Sequence, residues 1–224
     1  EAQTIEFISR YMRWDETQAR SLVRSAQEHD LEGLLDNPQT LHMLLKSVTQ
    51  DQPQFPTSKL ETYQRACATL VQEHNEAHMA ASGHVLLTDA QVLHAAGYLC
   101  AVMLLSGSAS IAKQPSQQHP AGVLVLRTLL ANQPNTPTLG ACQEAVQTKL
   151  FAGTGSGRFV PRHRTVAEYL AANYVSERIQ AGLPLTRVLA LVQGEDGGVV
   201  PALRGLHAWL AVAAGAQVRE NLIA

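Results

Sequence analysis

The feature that most limits what this chain can become is a recurring pair of signals: a helix-capping residue, then apolar residues at three- and four-residue spacing. Asp15 stands ahead of a stripe of Ala19, Leu22, Val23 and Ala26. Asn37 followed by Pro38 opens a segment whose apolar face is Leu41, Leu44, Leu45 and Val48. An asparagine accepts a hydrogen bond from an unpaired first-turn amide, and proline suits the first helical position because its missing N–H would have no partner there. Ser58 and Glu61 have the spacing of a capping box ahead of Leu60, Tyr63, Ala66, Cys67, Leu70 and Val71, which predicts a long helix over 59–81. Thr88 precedes Leu93, Ala96, Leu99, Cys100, Met103 and Leu104, and Thr165 with Glu168 repeats the capping-box pattern. Near the N-terminus, Ile5, Ile8, Tyr11 and Met12 fall on one face of a short helix.

Further helical segments are expected at 121–131, at 138–149 from Thr136 or Thr138, and in "LPLTRVLALV" and "VVPALRGLHAWLAVAA", which a "QGEDGG" linker separates. The pattern changes once. "KLFAGTGSGRFVPRH" sets two short apolar pieces, Leu150-Phe151 and Phe159-Val160, around a glycine-rich turn, as a β-hairpin requires. The expected fold is therefore all-α with one small β-hairpin. The polar, breaker-rich stretch "SGSASIAKQPSQQHP" (106–120) suggests a boundary. It divides the chain into a helical domain (1–105), a winged-helix-like domain (106–182) and the start of a further helical region (183–224).

Composition narrows the function classes. The chain has 224 residues, 46% apolar and 16% charged, with a net charge of −2. It is long enough to bury a sizeable core, and it lacks the basic excess of a broad nucleic-acid or anionic-membrane surface. Its three cysteines, Cys67, Cys100 and Cys142, are far apart and form no CxxC pair, so neither a disulfide frame nor a zinc site is expected. No run of about 18 uninterrupted apolar residues occurs, so no membrane span and a cytoplasmic location are expected. The chain begins at Glu1 rather than methionine, as a piece of a longer protein would.

Motifs for catalysis are incomplete. "GTGSGR" (153–158) has glycines but not the GK[ST] ending that holds phosphate and magnesium, and it reads as a hairpin turn. His74 and His78 in "HNEAH" have a chelating i, i+4 spacing, but Asn75 stands where a zinc protease has its glutamate, so a solvated helix face is the simpler reading. There is no GxSxG. What remains is "RHRTVAEYLAA", with Arg162, His163 and Arg164 clustered ahead of a helix whose positive end favours anions.

Two stretches carry a family resemblance. "LEGLLDNPQTLHMLL" (31–45) followed by "FPTSKLETYQRACATLV" (55–71) is similar to the segment after the nucleotide-binding core of NACHT-type NTPases. These are STAND-class proteins related to NOD-like receptors. "RFVPRHRTVAEYLAA" (158–172) resembles the end of that family's winged-helix domain, and "LHAWLAVAA" the helical segment that follows it. Many family members have a single residue between the phenylalanine and the histidine, whereas this chain inserts Val160 and Pro161 as well.

The resemblance implies two nucleotide-binding positions. Pro38 matches the proline that lies near the adenine, and His163 matches the histidine that contacts the β-phosphate of ADP in closed members. It also implies that these residues are a regulatory nucleotide lid and oligomerisation control, without Walker motifs. They would not be an enzyme alone and would carry no cofactor alone, ATP or ADP being bound by the parent. The expected partners are the NTPase domain of the same chain and further copies of the parent. Two other readings remain from the residues: a winged-helix DNA-binding regulator and a helical protein-interaction scaffold.

Overall fold

The computed structural model describes residues 2–48, 55–73, 87–116, 119–131 and 136–214. They fold into two compact units, Glu1–Leu70 and Val71–Ala224. The polar stretch at 106–120 lies inside the second unit rather than between units.

The first unit is helical. It comprises α1 (Ala2–Met12), α2 (Glu16–Glu28), a 3-10 turn at Glu32–Leu34, α3 (Pro38–Ser47) and α4 (Lys59–Gln72) up to Leu70. The expected caps form. Asp15 accepts from the Gln18 amide while Gln18 reaches back to the Asp15 amide, a complete box. Asn37 Oδ1 accepts from the Gln39 amide at 2.8 Å, with Pro38 in the first turn. Ser58 accepts from the Glu61 amide, but the Glu61 carboxylate takes the amide and hydroxyl of Thr57. Those two donors hold the carboxyl below its usual range. The helix has ended by residue 73, short of the expected 81, and 74–86, with His74 and His78, lie outside the described residues.

The first core joins Ile5 and Ile8 to Leu22, Val23, Leu31, Leu34, Leu41 and Leu44. Thr69 Oγ1 of α4 donates to the Lys46 carbonyl of α3 at 3.2 Å. Of the apolar face expected of α1, one residue is outside this core. Tyr11 is exposed, lies against the ring of Phe7, and shares a 2.8 Å hydrogen bond with Nε2 of His42. A tyrosine keeps an apolar body and a polar tip, and α1 uses both at its surface.

The second unit is built on α5 (Asp89–Ser106), which opens on a Thr88–Gln91 capping box. It closes on Gly107 at φ 66°, where the Ser108 amide returns to the Met103 carbonyl, the paired bonding of a left-handed helix stop. By length and composition α5 is, among the described residues, the one helix apolar enough to cross a membrane. Here its apolar residues are laid against α7 (Leu139–Ala145) and α8 (Arg164–Gln180).

The expected hairpin is present as β3 (Phe151–Gly153) and β4 (Arg158–Pro161), but it belongs to a larger sheet. Two further strands, β1 (Ser110–Ala112) and β2 (Val123–Val125), complete the order β2-β1-β4-β3. β1 pairs parallel with β2 and antiparallel with β4, placing Ile111 opposite Phe159. The segment read as a loop thus supplies β1, and the helix expected over 121–131 is reduced to α6 (Leu126–Leu130) after β2.

Beyond α8, the chain adds α9 (Leu185–Val192), a 3-10 turn at Pro201–Leu203, and α10 (Arg204–Ala213). α5 and α8 run antiparallel: Gly97 meets Leu170 and Tyr174, and the earlier His94 meets the later Glu177. α8 and α10 run parallel, since Arg164 meets Ala202, Tyr169 meets Trp209, and Ser176 meets Ala213. α8 is therefore clasped on two flanks.

Candidate functional site

The hairpin that delivers His163 is fixed by its turn. Gly155, Ser156 and Gly157 all have positive φ, and the Arg158 amide donates to the Gly155 carbonyl at 3.1 Å. Only glycine adopts that backbone freely, so Gly155 and Gly157 of "GTGSGR" answer a turn requirement. Phe151 and Phe159 are buried, and Phe151 stands opposite Pro161. Val160 pairs with Ala152, so the two residues inserted between Phe159 and His163 lengthen β4.

After β4 the chain is anchored again. The Arg162 amide donates to the Leu150 carbonyl at 2.9 Å, and Arg162 Nε to the Lys149 carbonyl at 3.1 Å. His163 comes next, in extended backbone (φ −137°, ψ 133°), as the residue that caps α8. Its carbonyl receives the Ala167 amide, the first bond of the helix.

The capping box expected at Thr165 and Glu168 does not form. α8 starts two residues earlier, with His163 in the cap position and no side-chain cap bond. Thr165 is therefore already inside the first turn. Glu168 is buried and accepts from Arg164 Nε at 2.8 Å, and its carboxylate lies over Gly205 of α10. A tertiary contact overrides a pattern that is sufficient when a helix starts at an isolated surface.

The imidazole of His163 is half-buried, with Nδ1 shielded from solvent. Burial holds its pKa below the ordinary histidine value, and the neighbouring Arg162 guanidinium pushes the same way. The ring is thus neutral near pH 7, with one nitrogen able to donate and one to accept. Around it are the first-turn amides of a 17-residue helix with no acidic residue in that turn, and the exposed Arg162 and Arg164. The arrangement can hold an anion or a polar partner at the start of α8.

Lys149 lies past the end of α7 and pairs with Glu73 at 2.9 Å. Lys113 follows β1 and stands 5.3 Å from the Phe159 ring centre. Burial lowers its pKa, and Glu144 opposes that shift.

Pro38 occupies the exposed first turn of α3 in the first unit, whereas His163 belongs to the second. Among the described residues no group of three or more His, Cys, Asp or Glu side chains could hold a metal ion. All three cysteines are buried, and none forms a disulfide. Sequence reasoning missed the partnership of Arg164, Glu168 and Gly205. Its one signal was a glycine inside a helical pattern, which commonly marks a close approach.

Comparison with protein-family models, with curated proteins and with solved structures finds no match for this chain.

Proposed function

We propose that the chain is a regulatory, non-catalytic module of a larger nucleotide-dependent switch protein of the STAND or NACHT type. The observation that carries this reading is the seating of His163. It is a neutral, half-buried imidazole in the cap position of α8, flanked by arginines and by amides that favour negative charge. The order α5, β1, α6, α7, β3, β4, with β1 pairing to β4 and β4 to β3, also supports a winged-helix-like arrangement.

In this reading the NTPase core of the parent supplies the nucleotide site, and ATP or ADP is bound there. Pro38 is assigned to the adenine side and His163 to the β-phosphate side. The chemistry asked of His163 is a hydrogen bond, not proton transfer. A switch needs its ligand to interact differently with two arrangements of the protein, and a histidine that meets the phosphate in one of them provides that difference. Release then permits self-association of the parent in the cytoplasm.

A DNA-binding regulator would place cations on α7, which precedes the hairpin as a recognition helix does. α7 buries Ala141, Cys142 and Ala145 and carries Glu144 without a lysine or arginine, so this second reading gains nothing.

The purified 224-residue chain is expected to turn over no ATP above a protein-free blank. Substantial turnover overturns the proposal. So does a parent reading frame that lacks a GxxxxGK[ST] motif upstream of Glu1. In the parent protein, His163→Ala is expected to speed ADP release; an unchanged rate removes His163 from the switch.

A further inference from the structure

Because α8 and α10 are parallel, their N-termini lie at the same end of the pair. Aligned helices bring their positive ends together, which is unfavourable unless an anion is present. Arg164 and Arg204, the first residues of the two helices, add positive charge at that end. The carboxylate found there is Glu168, whose side chain is only 10% exposed. It accepts from Arg164 Nε, and a second Arg164 nitrogen, Nη2, donates to the Ala202 carbonyl just before α10. A Cβ added at Gly205 would overlap the carboxyl group, standing 2.6 Å from Oε1. The glycine is what lets the carboxylate sit against the first turn of α10.

The segment held this way also packs along α8 through Leu206, Leu210 and the Tyr169–Trp209 contact, but it buries fewer residues than α8 does. α9 buries Val188 and Val192, and α10 buries Leu206 and Leu210, whereas α8 buries nine residues. Leu191 and Val212 are 57% and 46% exposed. The connection from α8 turns through Gly182 at φ 103°. Fewer buried residues than α8 has mean a lower free energy of local opening than that of α8.

We propose that Arg164 and Glu168 form an electrostatic latch that holds α9–α10 on α8 as a detachable strap, with Glu168 serving as the built-in counter-ion of two parallel helix ends. Losing the charge leaves the helix ends and Arg164 without their counter-charge, and the strap lifts as a unit. The latch stands independently of the nucleotide reading, although its first member directly follows His163 and its opening alters the start of α8.

Hydrogen exchange read by mass spectrometry on the whole 224-residue chain tests this. Glu168→Gln keeps the shape and removes the charge. It is expected to lower protection across α9 and α10 by about tenfold or more while α5 keeps its protection. Gly205→Ala is expected to expose the same segment by displacing the carboxylate. Raising the salt concentration should weaken α10 protection in the wild type, because Arg164 is 60% exposed and screened, and leave Glu168→Gln unchanged. Wild-type protection of α10 in Glu168→Gln overturns the latch. An even loss over α5, α8 and α10 also overturns it, since the residue would then serve general packing. Should Gly205→Ala fail to fold, Glu168→Gln still decides.

Discussion

Gly97 of α5 lies so close to Leu170 of α8 that a Cβ added at Gly97 would stand 2.8 Å from the Leu170 carbonyl oxygen and 3.0 Å from Cβ of Tyr174. Both obstacles are at or next to the backbone and cannot swing aside. Gly97→Ala is therefore expected to destabilise the second unit by about 1–3 kcal/mol despite alanine's better helix propensity, because the helices must move apart. Urea denaturation measures this, and a stabilised variant would contradict the crossing.

Two caps of similar sequence should behave differently. Asp15→Ala removes a box that forms and is expected to cost about 1 kcal/mol. Thr165→Ala removes a hydroxyl that makes no cap bond at α8 and is expected to stay within about 0.5 kcal/mol. Denaturant midpoints of the two variants decide it, and equal losses would restore Thr165 as the cap.

The pH dependence at His163 has a definite sign. The folded chain holds the imidazole below its ordinary value, so the unfolded chain takes up the proton first as pH falls. Protonation then favours unfolding: stability is full above the ordinary histidine value and declines as pH drops through it toward the folded value. His163→Asn is expected to remove part of the stability difference between about pH 7.5 and about pH 5.5. If the variant loses as much stability on acidification as the wild type, the imidazole is not held neutral by the fold.

The thiols are expected to be silent. Burial pushes the Cys142 thiol up to about 12 and the wholly buried Cys100 in the same direction, and Cys67 is buried as well. An aromatic disulfide reagent at mildly alkaline pH should label none of them quickly in the folded chain, and all of them in denaturant. Rapid labelling of one thiol in the fold would mean that its helix opens.

What could be read from sequence was whatever is decided within four residues. The caps at Asp15, Asn37 and Thr88 are local exchanges between a side chain and the next turn, so residue identity and spacing sufficed. β1 and β2 were illegible because each is three residues long, too short for an alternating pattern. The pairing of Ile111 with Phe159 joins residues far apart in the chain. Thr165 and Glu168 show the opposite failure: the local pattern is complete, yet Arg164 and the open space at Gly205 recruit the carboxylate. Of the candidate site, His163 ahead of α8 was visible in the sequence. Its burial was not, because that depends on how the hairpin returns to the helix.

The double clasp on α8 has a mechanical consequence. A 17-residue helix is a rod of about 25 Å, gripped on one flank at Gly97 and along the other by α10. Close-packed neighbours resist bending and admit only discrete rearrangements. A displacement imposed at His163 is therefore not absorbed where it arises: it is carried along the rod and arrives at Gln180, beside the turn into α9.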